Sequence, residues 1–184
     1  DQDSDAKENL TLDGRLVFVP HNFRHLGRFL RFHRISKVNG ILEDLGISSH
    51  QIDVAERGFS TRFDAPIDMR MNQGDKLDAE KIISTYSDER LHKIFETYGK
   101  ENKSKTLARL IVGARKTQSI NTISEFKTLL YPVVKGNPEK YFAKVFQALR
   151  IEVNDELGAL KDLLTQVPQV LETGGRAVFI TFHS

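Results

Sequence analysis

Apolar residues recur along this chain at two spacings, and the points where the spacing changes outline its organisation. Ser4 to Leu10 reads as a short helix. Leu16-Val-Phe-Val19 is an apolar run of strand length, opened by the turn pair Asp13-Gly14 and closed by Pro20. Phe23, Leu26, Phe29, Leu30 and Phe32 follow at helical spacing. Val38 to Leu42 predicts a second strand, running into Glu43-Asp44-Leu45-Gly46. Short β-rich runs alternating with helices are the pattern of a parallel α/β sheet.

From Ser48 to about Lys76 no period is sustained, and the residues are rich in charge, glycine and turn formers. A long irregular segment inside a compact domain is usually functional, and Ile52, Phe59, Phe63, Ile67, Met69 and Met71 give this one anchors. Residues 77 to 147 read as wholly helical, with Leu91, Ile94, Phe95 and Tyr98 on one stripe and Leu107, Ile111 and Ala114 on another. Thr122 and Glu125 have the spacing of a capping box. Asn154 reads as the N-cap of a last helix, with Asp155 and Glu156 in its first turn and Leu157, Leu160, Leu164 and Val167 as its stripe. That helix should stop near Leu171, and Gly174-Gly175 should turn the chain into a strand over Arg176 to Phe182. The simplest organisation is a sheet domain in two parts, residues 1–70 and 148–184, interrupted by a helical insert at 71–147.

Composition narrows the class. The 184 residues are 39% hydrophobic and 28% charged, as in globular proteins. No run approaches the roughly 18 apolar residues of a membrane span, and the acidic start, DQDSDAKENL, does not resemble a signal peptide. With no cysteine, disulfides and thiolate metal sites are excluded, and the expected location is the cytoplasm. A net charge of +2 is too small to argue for a nucleic-acid partner by itself. Its distribution says more, because Arg24, Arg28, Arg31, Arg34 and Lys37 lie between His21 and Lys37 with no acidic residue among them. A solvated helix face and a phosphate-binding surface are equally good readings of that stretch. Lys105, Arg109 and Lys116 form a second basic face, opposite an apolar stripe.

Several catalytic signatures are absent: GxxxxGK[ST], HExxH, GxSxG and a cysteine nucleophile. The histidines lack ligand spacing, so no metal site is expected. Acids and amides at strand ends remain, namely Asp1, Asp3, Asp44, Gln51 and Asp53. Ligands of open α/β sheets bind beyond the carboxyl ends of strands.

Residues 39 to 71, NGILEDLGISSHQIDVAERGFSTRFDAPIDMRM, carry several linked motifs. Together with DQDSDA at the start, FQALRIEVNDEL at 146 to 157 and GGRAVFITFHS at the end, this stretch resembles the signature of the 16S rRNA cytosine-N4 methyltransferases: a strand ending in DLGVSS, an acid or amide pair, an ERGFS segment and a DMRM segment. The resemblance implies a class I S-adenosylmethionine-dependent methyltransferase fold, a Rossmann-like parallel sheet with an all-helical inserted domain. By motif position, Asp1 resembles the acid that accepts from the cofactor's ribose hydroxyls. Phe23 resembles the residue bordering the adenine, and Asp44 and Gln51 further cofactor contacts. The implied partner is 16S rRNA in the small ribosomal subunit. Oligomeric state is not legible, and a homodimer is one arrangement open to the chain.

Methylation of an exocyclic amine needs the amine positioned and its hydrogen accepted, with no strong base. Amino-directed DNA methyltransferases use a [DNS]PP[YFW] loop at this strand end, where this chain has DLGI. Asp44 is the nearest candidate acceptor and His183 the second. The target cytosine must leave its stack, which suits a lid over residues 56 to 71. Arg57, Arg62 and Arg70, with Lys105 and Arg109 of the insert, are the expected RNA contacts. Asn39 departs from the family's aspartate. The family's glycine-rich loop would precede Asp1 and further strands would follow Ser184, so the sheet is expected to be incomplete. An incomplete sheet implies that the strands at 16–19 and 38–43 lose native neighbours, with the N-terminal region displaced, repaired by another chain or paired abnormally, and a chain that names its parent's activity without performing it. A non-catalytic RNA-binding module on the same fold is the alternative.

Overall fold

The structure is a computed structural model that describes residues 14–101 and 103–181. Its residues divide into two compact units, one formed by Ser49–Asn154 and the other by the residues up to Ser48 together with those from Asp155 onward.

The second of these carries the sheet. Strand β1 (Val38–Leu45) pairs in parallel with β2 (Leu171–Thr181), with Ile41 opposite Ala177 and Asp44 opposite Ile180. Parallel pairing is the class I methyltransferase pattern in small, and the described residues hold two strands of it. Gly174 and Gly175 do not turn the chain before a strand, as expected, but lie inside β2. The register slips there, because Val38 faces Leu171 while Gly40 already faces Arg176. Gly174 takes φ +83° to make this bulge, a conformation open to glycine. Asn39 sits across from the bulge, and nothing in the structure explains its replacement of aspartate. Leu16 to Val19 forms no strand, contrary to expectation: an apolar run needs a ladder for its backbone groups, no described residue supplies one, and Leu16 and Val17 stay exposed.

Helix α1 (Leu26–Phe32) and the 3-10 turn Phe23–His25 before it pack on α8 (Glu156–Val170), which runs directly into β2. Gln166 of α8 ties them, its Oε1 accepting from Gly27 N at 2.9 Å and its Nε2 donating to Arg24 O at 2.8 Å. Arg24 adds ion pairs to Asp155 and Asp162 at 2.7 and 3.0 Å. Those two hydrogen-bonded carboxylates raise its pKa further, against a smaller burial effect.

Unit Ser49–Asn154 is helical: α2 (Ser49–Asp53), α3 (Ala79–Thr85), α4 (Asp88–Thr97), α5 (Ser104–Ala114), α6 (Ile123–Leu130) and α7 (Pro138–Asn154). The periodicity reading holds for Leu91, Ile94, Phe95, Leu107 and Ile111, which are buried, while Tyr98 and Ala114 at the ends of the two stripes are half-buried. Thr122 and Glu125 complete the capping box at α6. Asn154 corrects another expectation, for it ends α7 and does not cap α8, whose N-cap is Asp155 in left-handed backbone. Its amide is used elsewhere, accepting from Met71 N at 2.7 Å and donating to Met69 O at 2.8 Å and Arg150 O at 2.9 Å. Among the described residues no helix is long and apolar enough to cross a membrane.

Candidate cofactor and RNA site

Because β1 and β2 are parallel, their carboxyl ends share one edge. Asp44 stands there beside Ile180, and Leu45 beside Thr181, the residue two places before His183. His183 and Asp1 lie outside the described residues. Alternation along β1 half-buries Glu43 and exposes Asp44, so the two neighbouring carboxyls differ. Burial first, and the Asp44 charge second, push the Glu43 carboxyl above its usual range. Just beyond Asp44, the space where a side chain on Gly46 would project is open. An exposed carboxylate next to bare backbone suits a ligand rich in hydroxyl and amino groups.

Phe23 opens the 3-10 turn, capped by Asn22, whose Oδ1 accepts from Arg24 N at 3.0 Å. The Gln166 and Arg24 bonds to α8 therefore hold the half-buried Phe23 at a fixed place in the sheet-bearing unit. Gln51 lies in α2, in the helical unit, and is half-buried with its polar groups engaged. Of the three cofactor candidates among the described residues, then, Phe23 and Asp44 share a unit and Gln51 lies in the other.

Residues 56 to 71, the expected lid, are anchored by several of the apolar residues expected to hold them. Phe59, Ala65, Ile67 and Met69 are buried. Gly58 takes φ +70°, and a Cβ there would come within 2.6 Å of Asp68 N and Pro66 O, so only glycine lets these backbones meet. Each of the three arginines of this segment has a partner in it or just beside it. Arg57 donates to the carbonyls of Arg70 and Met71 at 2.8 and 3.1 Å. Arg70 grips Asp68 through Nε and Nη2 at 2.8 and 2.7 Å and also reaches the carbonyls of Gln73 and Asp75. Burial pushes the Asp68 carboxyl upward, but the Arg70 hydrogen bonds and the Arg70 and Arg57 charges outweigh it and hold it below its usual range. Arg62 is exposed and pairs with Asp53 at 2.9 Å. On α5, Lys105 and Arg109 are exposed, with Arg109 loosely paired to Asp88 at 3.7 Å.

Two features escaped the sequence reading. Asn154 as the clamp on residues 69 to 71 had no signal beyond being an amide. A groove of about 480 Å³ on the helical unit, lined by Ser87, Arg90, Lys93, Tyr98 and Glu152 among others, contains none of the candidates. Arg90 lies 3.6 Å from the Tyr86 ring centroid there and pairs with Glu152.

Comparison with known proteins agrees with the motif pattern. Over 185 aligned residues the chain is 51% identical to a ribosomal RNA small subunit methyltransferase H of Christiangramia forsetii, covering all of this chain and 61% of that protein. The counterpart in Bacteroides thetaiotaomicron is likewise 51% identical with the same coverage. That of Cytophaga hutchinsonii is 49% identical over 187 aligned residues, covering 63% of its length. The chain thus spans about three-fifths of the length of these relatives. The sequence profile of the MraW methylase family matches residues 1–184, and the chain belongs to that family.

Proposed function

We propose that the protein transfers the methyl group of S-adenosylmethionine to the exocyclic N4 amine of a cytosine in 16S rRNA, acting in the cytoplasm on the small ribosomal subunit. The observation that carries this reading is the family match over residues 1–184, with the linked motifs of residues 39 to 71 inside it. S-adenosylmethionine supplies an electrophilic methyl, and the remaining work is positional. By motif position, Asp1, Phe23, Asp44 and Gln51 are the residues that would hold the cofactor. Asp44 at the strand edge orients the amine and accepts its hydrogen, with His183 as the second candidate. Residues 71 to 147 act as a substrate-recognition insert. Arg62, Lys105 and Arg109 offer exposed cations to phosphate, whereas Arg57 and Arg70 shape the loop that presents Arg62.

Small ribosomal subunits lacking the modification, incubated with the protein and methyl-labelled S-adenosylmethionine, should yield labelled N4-methylcytidine on nucleoside mass spectrometry. Label on a ring carbon, or none with a protein that binds cofactor, would overturn the reading. The Asp44→Asn variant should lose most of its turnover at saturating cofactor. Full turnover in that variant removes Asp44 as acceptor. Sedimentation of the protein tests the homodimer.

A further inference from the structure

Arg57 and Arg70 are bound up with their own loop and Arg62 is paired with Asp53, but a second group of cations has no such partners. On α1 the residues Leu26, Phe29 and Leu30 are half-buried and Gly27 is buried, whereas His25, Arg28, Arg31, Phe32 and His33 are exposed. At 3.6 residues per turn, positions 25, 28, 31 and 32 fall on one face. Among the described residues, no hydrogen bond or ion pair engages the side chains of Arg28, Arg31 or Arg34, in contrast to the doubly paired Arg24 one turn earlier. Phe32 is 78% exposed.

The end of α1 adds a second observation. Ile35 N donates to Leu30 O at 2.9 Å and Arg34 N to Arg31 O at 3.0 Å, the two bonds of a Schellman turn, and Arg34 holds the left-handed position at φ +60°. Glycine is the favoured residue there. A long cation therefore occupies a site where it costs stability. The helix dipole favours cations at Arg31 and Arg34, but it gives no account of Arg28 or of the exposed Phe32, whose ring meets the neighbouring His33 edge-on.

We propose that Arg28, Arg31, Phe32 and Arg34 form a docking surface for single-stranded RNA, the guanidiniums meeting successive phosphates and Phe32 stacking on an unpaired base. The proposal rests on RNA being the substrate class. An anionic membrane fits less well, because the apolar residues of α1 turn inward and leave little more than Phe32 and Ile35 outside.

The test is fluorescence anisotropy of a labelled single-stranded oligonucleotide copied from the small-subunit rRNA, titrated with the protein across a KCl series. Replacing Arg28, Arg31 and Arg34 together by alanine should weaken binding at least tenfold at low salt and make the log–log salt slope shallower by about 2. The corresponding triple lysine variant should keep the slope. Phe32→Ala should cost about fivefold or more without changing it. Arg34→Gly should raise the melting temperature by about 2 °C while weakening RNA binding, a combination that a merely structural role does not produce. Wild-type affinity and slope in the triple alanine variant overturn the surface, as does binding to anionic lipid vesicles in place of RNA. If the triple alanine variant binds normally while the protein methylates, the surface fails and the enzyme reading stands. If the triple alanine variant loses RNA binding in a protein that methylates nothing, the enzyme reading fails and the surface stands.

Discussion

The two units of this chain bury their apolar residues very differently. Among the described residues, the buried hydrophobic side chains of the sheet-bearing unit are Ala159, Leu163 and Val170, and the others lie between Phe59 and Val153. The sheet-bearing unit instead exposes Leu42 on β1 and Val178 and Ile180 on β2. Contact length explains the contrast. Helices joined by short connections bury one another's stripes through neighbouring turns, so the helical unit closes its core locally. A parallel sheet is covered on both faces only when several strands and crossover helices are in place, and two strands leave most of each face open. Asp44, the catalytic candidate among the described residues, stands in the sparsely packed unit, while the densely packed one carries the basic insert.

The sharpest way to break this contrast is by truncation. Phe95 is wholly buried in α4, and Phe95→Ala should cost about 3 to 5 kcal/mol in urea unfolding. Leu42→Ala, at a position 70% exposed, should change stability by no more than about 0.5 kcal/mol. Similar losses for the two would mean that the sheet face is covered in solution, and the contrast would fail.

Next in size is the clamp on the anchored loop. Asn154→Ala removes three hydrogen bonds and leaves the Met71 amide and the Met69 carbonyl without their partner, which should cost about 2 kcal/mol. Hydrogen exchange gives the local reading, with the Met71 amide exchanging faster while the amides of β1 keep their rates. Acceleration spread equally over both units would show that they unfold as one.

How far the sequence foretold these units follows the same divide. The α4 and α5 stripes and the Thr122 box were readable because helix period and capping are local, set within three or four residues. Asp44 was readable as a strand-end acid because Gly46 closes the strand beside it. Asn154-Asp155-Glu156 carries a good capping signature, yet Asn154 binds residues more than eighty positions away, and no local pattern encodes that. The arginines of residues 57 to 70 read as free charge because a sequence shows charge without partners, although Asp68 lies only two residues from Arg70. Leu16 to Val19 failed for a related reason, as strand propensity alone does not supply a ladder.

A third and smaller effect concerns that Asp68–Arg70 pair. Since the folded Asp68 carboxyl sits below its usual range, its contribution is present above the unfolded value near 3.9 and is lost as pH falls through the folded one. Asp68→Asn should therefore cost about 1.5 kcal/mol at pH 7. The gap from wild type should narrow as the pH drops below about 4, measured by thermal melting across pH. A gap that stayed constant down to pH 2 would assign the loss to shape and not to charge.

Glu43 supplies the opposite sign and the smallest effect. Its folded carboxyl lies above the usual range through burial and the neighbouring Asp44, so the folded chain holds that proton more tightly than the unfolded one. The resulting stability is complete below the unfolded value and is lost as pH rises through the folded value. Glu43→Gln, which carries no titrating proton, should be slightly more stable than wild type at pH 7, and the melting curves should converge as the pH is lowered toward 4. Solvent at this half-buried position limits the gain to about 0.5 kcal/mol. An acid that costs stability beside the candidate catalytic Asp44 is what a functional edge tolerates, whereas Asp68 in the packed unit is held by Arg70 through both carboxylate oxygens. A Glu43→Gln chain less stable than wild type at pH 7 would mean that Glu43 also has a partner, and the electrostatic half of the contrast between the units would disappear.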